Sequence, residues 1–186
     1  MGIGVAASAD RAGAGAGCRA GASDESEAPV GLFEFECRGP DGTVKWRERC
    51  SNIVTTAGKR LNLDVTFGAT AKPSWFMLLA GAGAKAAGDT LAAHAGWTEV
   101  TAYTGTRPAI TFTASTVANT TGAQVTHASA IAFAINADAT VIAGAGVCNA
   151  ASGTTGTLYN VGDFPASRTM ANGDTLSVTI TLSQAA

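Results

Sequence analysis

The sequence predicts an all-β fold: an antiparallel β-sandwich, of which the jelly roll is one form, with one short helix and a disordered N-terminal tail. Apolar and polar residues alternate over many short runs, and Gly, Asn and Asp separate these runs. The alternation is strictest at 175–182, where every second side chain is apolar. About seven to nine short strands, spaced by about 10–15 residues, fit a sandwich of two sheets.

The composition indicates one folded domain with few charged residues that could act in catalysis. The chain has 186 residues, of which 46% are hydrophobic and 14% are charged. Residues 1–29 are rich in Ala, Gly and Ser and hold almost no large apolar side chain, so they cannot bury enough surface to offset the entropy of ordering. We therefore expect a flexible tail or arm over 1–29 and a sandwich domain over 30–186.

The charge pattern disfavours two classes of partner. The formal net charge is −2, from 12 basic and 14 acidic residues, and no run of Lys and Arg exceeds two. A nucleic-acid or anionic-lipid partner requires a basic patch, so we expect neither. No apolar stretch approaches the ~20 residues of a membrane span. The first residues also lack the basic region and apolar run of a signal peptide, so we expect no secretion signal.

The cysteines are predicted to be free thiols. Their spacing matches neither a zinc site nor a dense disulfide framework, and we expect no metal or other cofactor. The four positions are Cys18, Cys37, Cys50 and Cys148.

A hairpin is predicted at the start of the domain. Two alternating runs flank Gly39-Pro40-Asp41-Gly42, a turn sequence. With Asp41 and Gly42 as the loop, one face carries opposite charges in cross-strand pairs, which explains these charges without an active site. The same register disfavours a disulfide between the two cysteines of the hairpin, because neither lies opposite the other. The opposed residues are Phe33 and Cys50, Glu34 and Arg49, Phe35 and Glu48, Glu36 and Arg47, and Cys37 and Trp46.

A short helix and a buried strand are predicted next. Gly58, Leu61 and Val65 recur at helical spacing behind a threonine that can cap the helix, Thr55 or Thr56. The apolar run 74–79 has the length of a strand that is buried on both faces.

Further strands are predicted after a Gly-punctuated loop over 80–96. Alternation indicates strands at 97–103, 109–114 and 130–136. The run 140–147 follows a turn at Asp138-Ala139, so we expect it to form a hairpin with 130–136. Leu158, Tyr159 and Val161 lie among turn residues. The last strand, 175–182, buries one face, and its Thr and Ser face meets water or another subunit.

Candidate catalytic residues are few. The histidines are His94 and His127, and no Gly-x-Ser-x-Gly elbow accompanies them. The Gly clusters at 13–17, 81–83 and 144–146 lack the residues of a phosphate-binding loop, which favours loops and close packing. We predict no enzymatic activity and no catalytic, cofactor or metal residues. The carboxylates available for glycoside cleavage occur mostly in predicted turns, where Asp is expected anyway: Asp89, Glu99, Asp138, Asp163 and Asp174.

The tryptophans allow two interpretations. Trp46, Trp75 and Trp97 all lie in strand-like runs, which favours packing in the core or at an interface. A carbohydrate platform would require an exposed ring with polar neighbours in a groove.

Short motifs follow one another along the chain: Phe35-Glu36-Cys37, Asp41-Gly42, Lys45-Trp46, Asn52-Ile-Val-Thr-Thr, Leu61-Asn-Leu-Asp64-Val-Thr-Phe67-Gly68, Asp89-Thr-Leu-Ala-Ala-His94-Ala-Gly-Trp97-Thr-Glu99, Arg107-Pro108, Phe133-Ala-Ile-Asn136-Ala, Thr154-Thr-Gly156-Thr-Leu158 and Ala171-Asn172-Gly173-Asp174-Thr-Leu176. Their order resembles a family of small tailed-bacteriophage virion proteins, over about residues 32–184. The leading segment 1–29 and Gly58-Lys-Arg-Leu-Asn depart from the family pattern. The resemblance implies a structural virion protein, made in the cytoplasm of the host bacterium.

Two structural hypotheses follow, and a third is weaker. A capsid decoration or cement protein would bind the major capsid protein and stabilise the assembled head, and for this role we expect self-association as a homotrimer. The alternative is a tail- or fibre-associated virion protein that contacts glycan on the host surface, for which a tryptophan must be exposed in a groove. A small hydrolase would require His94 or His127 to meet a nucleophile in a pocket.

Overall fold

A computed structural model of the chain describes residues 30–68, 70–115, 117–119, 122–126 and 129–185. The predicted tail over 1–29 lies outside the described residues. Within the described ranges the chain forms thirteen strands and one helix, and every strand pairing is antiparallel. The elements are β1 Val30–Arg38, β2 Val44–Val54, α1 Thr56–Thr66, β3 Trp75–Ala80, β4 Glu99–Val100, β5 Ala109–Ile110, β6 Val117–Asn119, β7 Gly122–Thr126, β8 Ile131–Ala134, β9 Thr140–Ile142, β10 Gly144–Cys148, β11 Leu158–Gly162, β12 Arg168–Met170 and β13 Thr175–Ala185.

One long strand joins the two halves of the sandwich. The main sheet has the order β4-β3-β10-β11-β2-β1-β13-β7-β6, with β5 beside β3 and β8 beside β13, and β9 and β12 form a separate pair. The first part of β2 pairs with β1, whereas Asn52–Val54 pairs with β11. Because β2 takes part in both halves, the sheet encloses a core between them. The predicted all-β sandwich is confirmed, and the jelly-roll form stays a prediction.

The main core lies between these two halves. On one side, alternate residues of β1 and β13 are buried, among them Phe33, Leu176 and Ile180. On the other side, Met77 and Leu79 of β3 meet them. The strict alternation in 175–182 therefore has its expected physical basis, one buried face. A second, smaller cluster packs on the outer face of β3, β10 and β11, and it contains Leu78, Ala80, Leu91, Trp97, Cys148, Leu158 and Val161.

The predicted hairpin register is confirmed for every pair. Glu34 lies opposite Arg49 and Glu36 opposite Arg47. The closest nitrogen-to-oxygen distance in each of these ion pairs is 2.5 Å. The register shifts only at Arg38, next to the turn, where a bulge lengthens the loop beyond two residues.

The predicted helix is also confirmed. Thr55 is its N-cap, and the Thr55 hydroxyl accepts a hydrogen bond of 2.9 Å from the Gly58 amide. Gly58 faces β11 so closely that an added Cβ would lie 2.1 Å from the carbonyl oxygen of Tyr159. The missing side chain thus lets α1 rest directly on the sheet.

Two predictions about the second half of the chain are wrong. Strands β8 and β9 do not form a hairpin: β8 pairs with β13, and β9 pairs with β12. The residues 158–161 do not lie among turns but form β11, whose five residues are all buried. Of the predicted strands 97–103 and 109–114, only the two-residue strands β4 and β5 form. Irregular loops make up most of the remainder.

Candidate functional site

The described histidine has a structural role. The ring of His94 stacks on the indole of Trp97 at a centroid distance of 4.2 Å, and its Nδ1 lies 2.9 Å from the Thr90 carbonyl oxygen. His127 lies outside the described residues. Nowhere in the described ranges do three His, Cys, Asp or Glu side chains come together as a metal site.

Each carboxylate that could serve in glycoside cleavage contacts a structural partner. Asp89 accepts hydrogen bonds from the Trp97 indole and the Ala86 amide. Asp138 accepts a bond from the Asn172 amide, and Asp174 binds Lys45 at 2.6 Å. Glu99 and Asp163 are held by buried cations. Each of these carboxylates is thus engaged by a donor within the fold.

Two buried cations, Arg107 and Lys85, lie in the loops between β3 and β6 and bind backbone carbonyls of loops. The guanidinium of Arg107 donates to both oxygens of Glu99, at 2.7 and 2.6 Å, and to the carbonyls of Ala150 and Gly153. The ammonium of Lys85 donates to the carbonyls of Gly81 and Gly83 and to Asp163, at 2.7–2.8 Å. These bonds satisfy backbone carbonyls that no strand pairs, so the two cations hold the loops in place.

The described cysteines are free and buried, as predicted. Burial raises the pKa of Cys37 to about 11 and that of Cys50 to about 12. Burial also raises the pKa of Cys148. A thiol with a raised pKa is a poor nucleophile at neutral pH, so these residues pack and do not react. Cys18 lies outside the described residues.

The glycine cluster at 144–146 permits close strand packing. A Cβ on Gly144 would lie 1.9 Å from the Gly162 carbonyl oxygen, and one on Gly146 would lie 2.7 Å from that of Asn160. Both residues belong to β10, and their close approach to β11 confirms the predicted close packing. The cluster at 13–17 lies outside the described residues.

The three tryptophans occupy different environments. Trp97 is buried in the second cluster. Trp46 is half-buried and packs edge-on against Phe164. Trp75 is half-buried at the start of β3, packs against the main core and lines a cavity, so none of the three rings is exposed as a carbohydrate platform requires.

The cavity lies beside α1, and residues of β3, β7, β10, β11 and β13 also line it. Its volume is about 580 Å³, within the range of small-molecule sites. Leu61 and Val65 of α1 form one wall, and Trp75, Phe112 and Tyr159 contribute aromatic surface from the strands and the segment after β5. The rings of Trp75 and Tyr159 meet edge to face, with centroids 5.2 Å apart. Polar side chains complete the lining: Asn62, Lys72, Thr113, Ser115 and Ser183.

Tyr159 is the lining residue that the sequence pattern failed to mark. Its side chain is 6% exposed, and burial raises the pKa of its phenol. The Asn and Gly that follow Tyr159 indicate a turn, whereas pairing with β10 on one side and β2 on the other makes this segment a central strand.

A comparison with protein families gives one match. The family model described as "Podophage GP4 fiber I protein gp80" matches residues 54–184, more than half of the chain. The matched part contains α1 and every residue that lines the cavity. No curated protein and no solved structure matches the chain significantly. In the described part of the chain, no helix has the length and apolar character needed to span a bilayer.

Proposed function

The chain belongs to the podophage GP4 fiber I protein gp80 family and is therefore a structural component of a tailed-phage virion, and from this premise we propose that it acts in a fibre and contacts glycan on the host surface. The observation that carries the proposal is the match itself, because the family description names a fibre protein. A cavity with aromatic surface and a few polar side chains supports the glycan contact, although its tryptophan, Trp75, is half-buried and not exposed.

The match favours the fibre role over the capsid cement role. The cement hypothesis depends on a weakly charged surface and on the scarcity of residues that could act in catalysis. A fibre protein shares both features. The family description adds a specific statement that points to the fibre. The major capsid protein therefore has less support as a partner than the subunits of a fibre.

The same reasoning supports a non-enzymatic role. The described histidine, cysteines and candidate carboxylates all make structural contacts, and a fibre acts by binding. Self-association follows from this role, because fibres are built from repeated copies of a chain. We expect a homo-oligomer, and sedimentation velocity of the purified full chain would measure its size.

Immunogold electron microscopy of intact virions tests the location. Antibodies against this chain should label fibres at the tail, and label spread over the head would favour the cement role instead. Adsorption tests the activity: the purified protein, added in excess, should slow attachment of the phage to its host. Unchanged attachment by a correctly folded protein would contradict host contact.

A further inference from the structure

The outer face of α1 carries two large apolar side chains that the rest of the described fold leaves exposed. Leu63 is 58% exposed, and Phe67, the C-cap residue, is 82% exposed. The two are four residues apart, so they lie one turn apart on the same side of the helix. Gly58 and Val65 lie on the opposite side, where α1 meets β11 and the cavity. The exposed face is therefore separate from the core and from the cavity wall.

The charges on this face oppose the dipole of their own helix. Lys59 and Arg60 lie in the N-terminal half of α1, and Asp64 lies in the C-terminal half. The dipole favours the reverse order, because the N-terminus of a helix is positive and its C-terminus is negative. The ion pair between Arg60 and Asp64 measures 3.7 Å, and its side chains are 85% and 38% exposed, so it contributes little. The charges suit an antiparallel neighbour better than they suit α1 alone.

We propose that the outer face of α1 binds the same face of a second copy of this chain, an inference that deepens the proposed fibre role and rests on it. The two helices run antiparallel about a two-fold axis beside Leu63, so that each Leu63 meets its own copy. Phe67 packs on the aliphatic stem of Lys59 of the second copy. Arg60 of each helix faces Asp64 of the other, because both lie on the same flank and this register brings them within about 3 Å along the axis.

The size of this face limits the strength of the contact. With 11 residues, α1 is about 16 Å long. One face of such a helix is well below the about 800 Å² per partner that stable interfaces bury. The contact between two free chains is therefore weak and reversible. Repeated copies in a fibre strengthen it, because each further contact forms between chains that are already held close together.

Sedimentation equilibrium of the purified full chain measures the contact, at concentrations from about 10 μM to about 1 mM. Phe67→Ser should raise the Kd of self-association at least about tenfold, because a central aromatic side chain carries much of the energy of an interface. The matched control is Val141→Thr, which changes an exposed apolar side chain of β9 and should stay within about twofold of the wild type. Circular dichroism and melting temperature establish that each variant is folded.

Charge reversal tests the antiparallel register. In the Arg60→Asp chain, two carboxylates face each other across the axis, and in the Asp64→Arg chain, two guanidinium groups do. Each variant alone should therefore self-associate about three- to tenfold more weakly than the wild type. An equimolar mixture of the two variants brings opposite charges together on both sides of the axis and should restore association. Mixing would not repair a folding defect, so this recovery reports the contact itself.

The pairing is overturned by a wild type that sediments as a monomer throughout this range, by undiminished association of Phe67→Ser, or by a mixture that associates no better than its components. If the wild type stays monomeric and the Phe67→Ser chain is lost from purified virions, another virion protein occupies this face.

The fibre role is judged separately, by the antibody label on intact virions. Label over the head contradicts the fibre role even where the variants dissociate. Label on tail fibres, together with variants that associate as the wild type does, leaves the fibre role standing and removes the α1 contact.

Discussion

The β1–β2 hairpin and the segment 81–115 both contain ion pairs, but of opposite kinds. In the hairpin, the side chains of Glu34 and Arg49 are 46% and 70% exposed. In the segment, the side chains of Arg107 and Lys85 are 5% and 1% exposed and bind backbone carbonyls as well as carboxylates. Alternation and strand pairing hold the hairpin, whereas buried cations hold the loops. We therefore expect an ion pair to contribute most to stability where the backbone has no strand or helix hydrogen bonds to hold it.

Replacing the buried cation Arg107 should give the largest loss of stability. Arg107→Met removes a buried guanidinium and leaves the Glu99 carboxylate and the carbonyls of Ala150 and Gly153 without this donor. Removal of one partner from a buried ion pair costs about 3–5 kcal/mol. Urea unfolding followed by fluorescence should show this loss in the free energy of unfolding.

The exposed cation Arg47 is the matched control. Its side chain is 66% exposed and binds Glu36 on the outer face of the hairpin. Arg47→Met should shift the urea midpoint far less than Arg107→Met. Equal shifts for the two variants would contradict the distinction between the regions.

A methyl group at Gly58 should give the next largest loss of stability, because it disrupts the close contact between α1 and β11. Gly58→Ala places a Cβ against the Tyr159 carbonyl, so α1 must move away from β11. Overpacking of this kind costs about 1–3 kcal/mol and outweighs the better helix propensity of alanine. Thermal unfolding would measure the loss.

Gly88, in the loop segment, is the control for Gly58. A Cβ there would meet nothing within 4 Å, and the residue does not have a positive φ. Gly88→Ala should leave stability unchanged or raise it by up to about 1 kcal/mol, because alanine restricts the unfolded chain. A large loss at Gly88, or none at Gly58, would overturn the close approach of α1 to the sheet.

Acid should weaken the junction between the hairpin and β13, through Asp174. Burial pushes the pKa of this carboxyl upward, but hydrogen bonds from Lys45, the Ala171 amide and Cys37 outweigh it, so the pKa lies below its ordinary value. A carboxyl with a lowered folded pKa stabilises above its unfolded pKa of about 3.9, and this stabilisation disappears as the pH falls through the folded pKa. Stability should therefore decline below about pH 4.

Two variants isolate the contribution of Asp174. Asp174→Asn cannot titrate, and Lys45→Met removes the main hydrogen bond that lowers the pKa. Both should reduce the change in urea midpoint between about pH 6 and about pH 3. An acid dependence that is the same in the wild type and both variants would assign the effect to other groups.

Sequence patterns predicted the features that depend on residues near in the chain. The hairpin register, a threonine cap for the helix and the alternating burial of β13 were all predicted, because alternation, capping and turn chemistry are local signals. Strand β8 was found, but its hairpin with β9 was wrong. Long-range pairing decided the outcome, since β13 covers the edge of β8 and β12 pairs with β9.

The candidate site was predicted only in part. Trp75 was one of three tryptophans considered, but nothing in the sequence separated it from Trp46 and Trp97. Tyr159 lies far from Trp75 in the chain, and the two rings meet only because β10 pairs with both β3 and β11. A cavity lined by distant segments has no local pattern, so sequence reasoning alone does not find it.

The smallest expected effect comes from the exposed pair Glu34 and Arg49, in a double-mutant cycle with Glu34→Gln and Arg49→Met. Both side chains reach water, so their coupling should be only about 0.2–0.5 kcal/mol and should shrink further when salt is added. Urea unfolding of the two single variants and the double variant would measure it. A coupling above about 2 kcal/mol would mean that the pair is shielded from solvent, for example by another copy of the chain. The hairpin would then depend on its charges as the loop segment does.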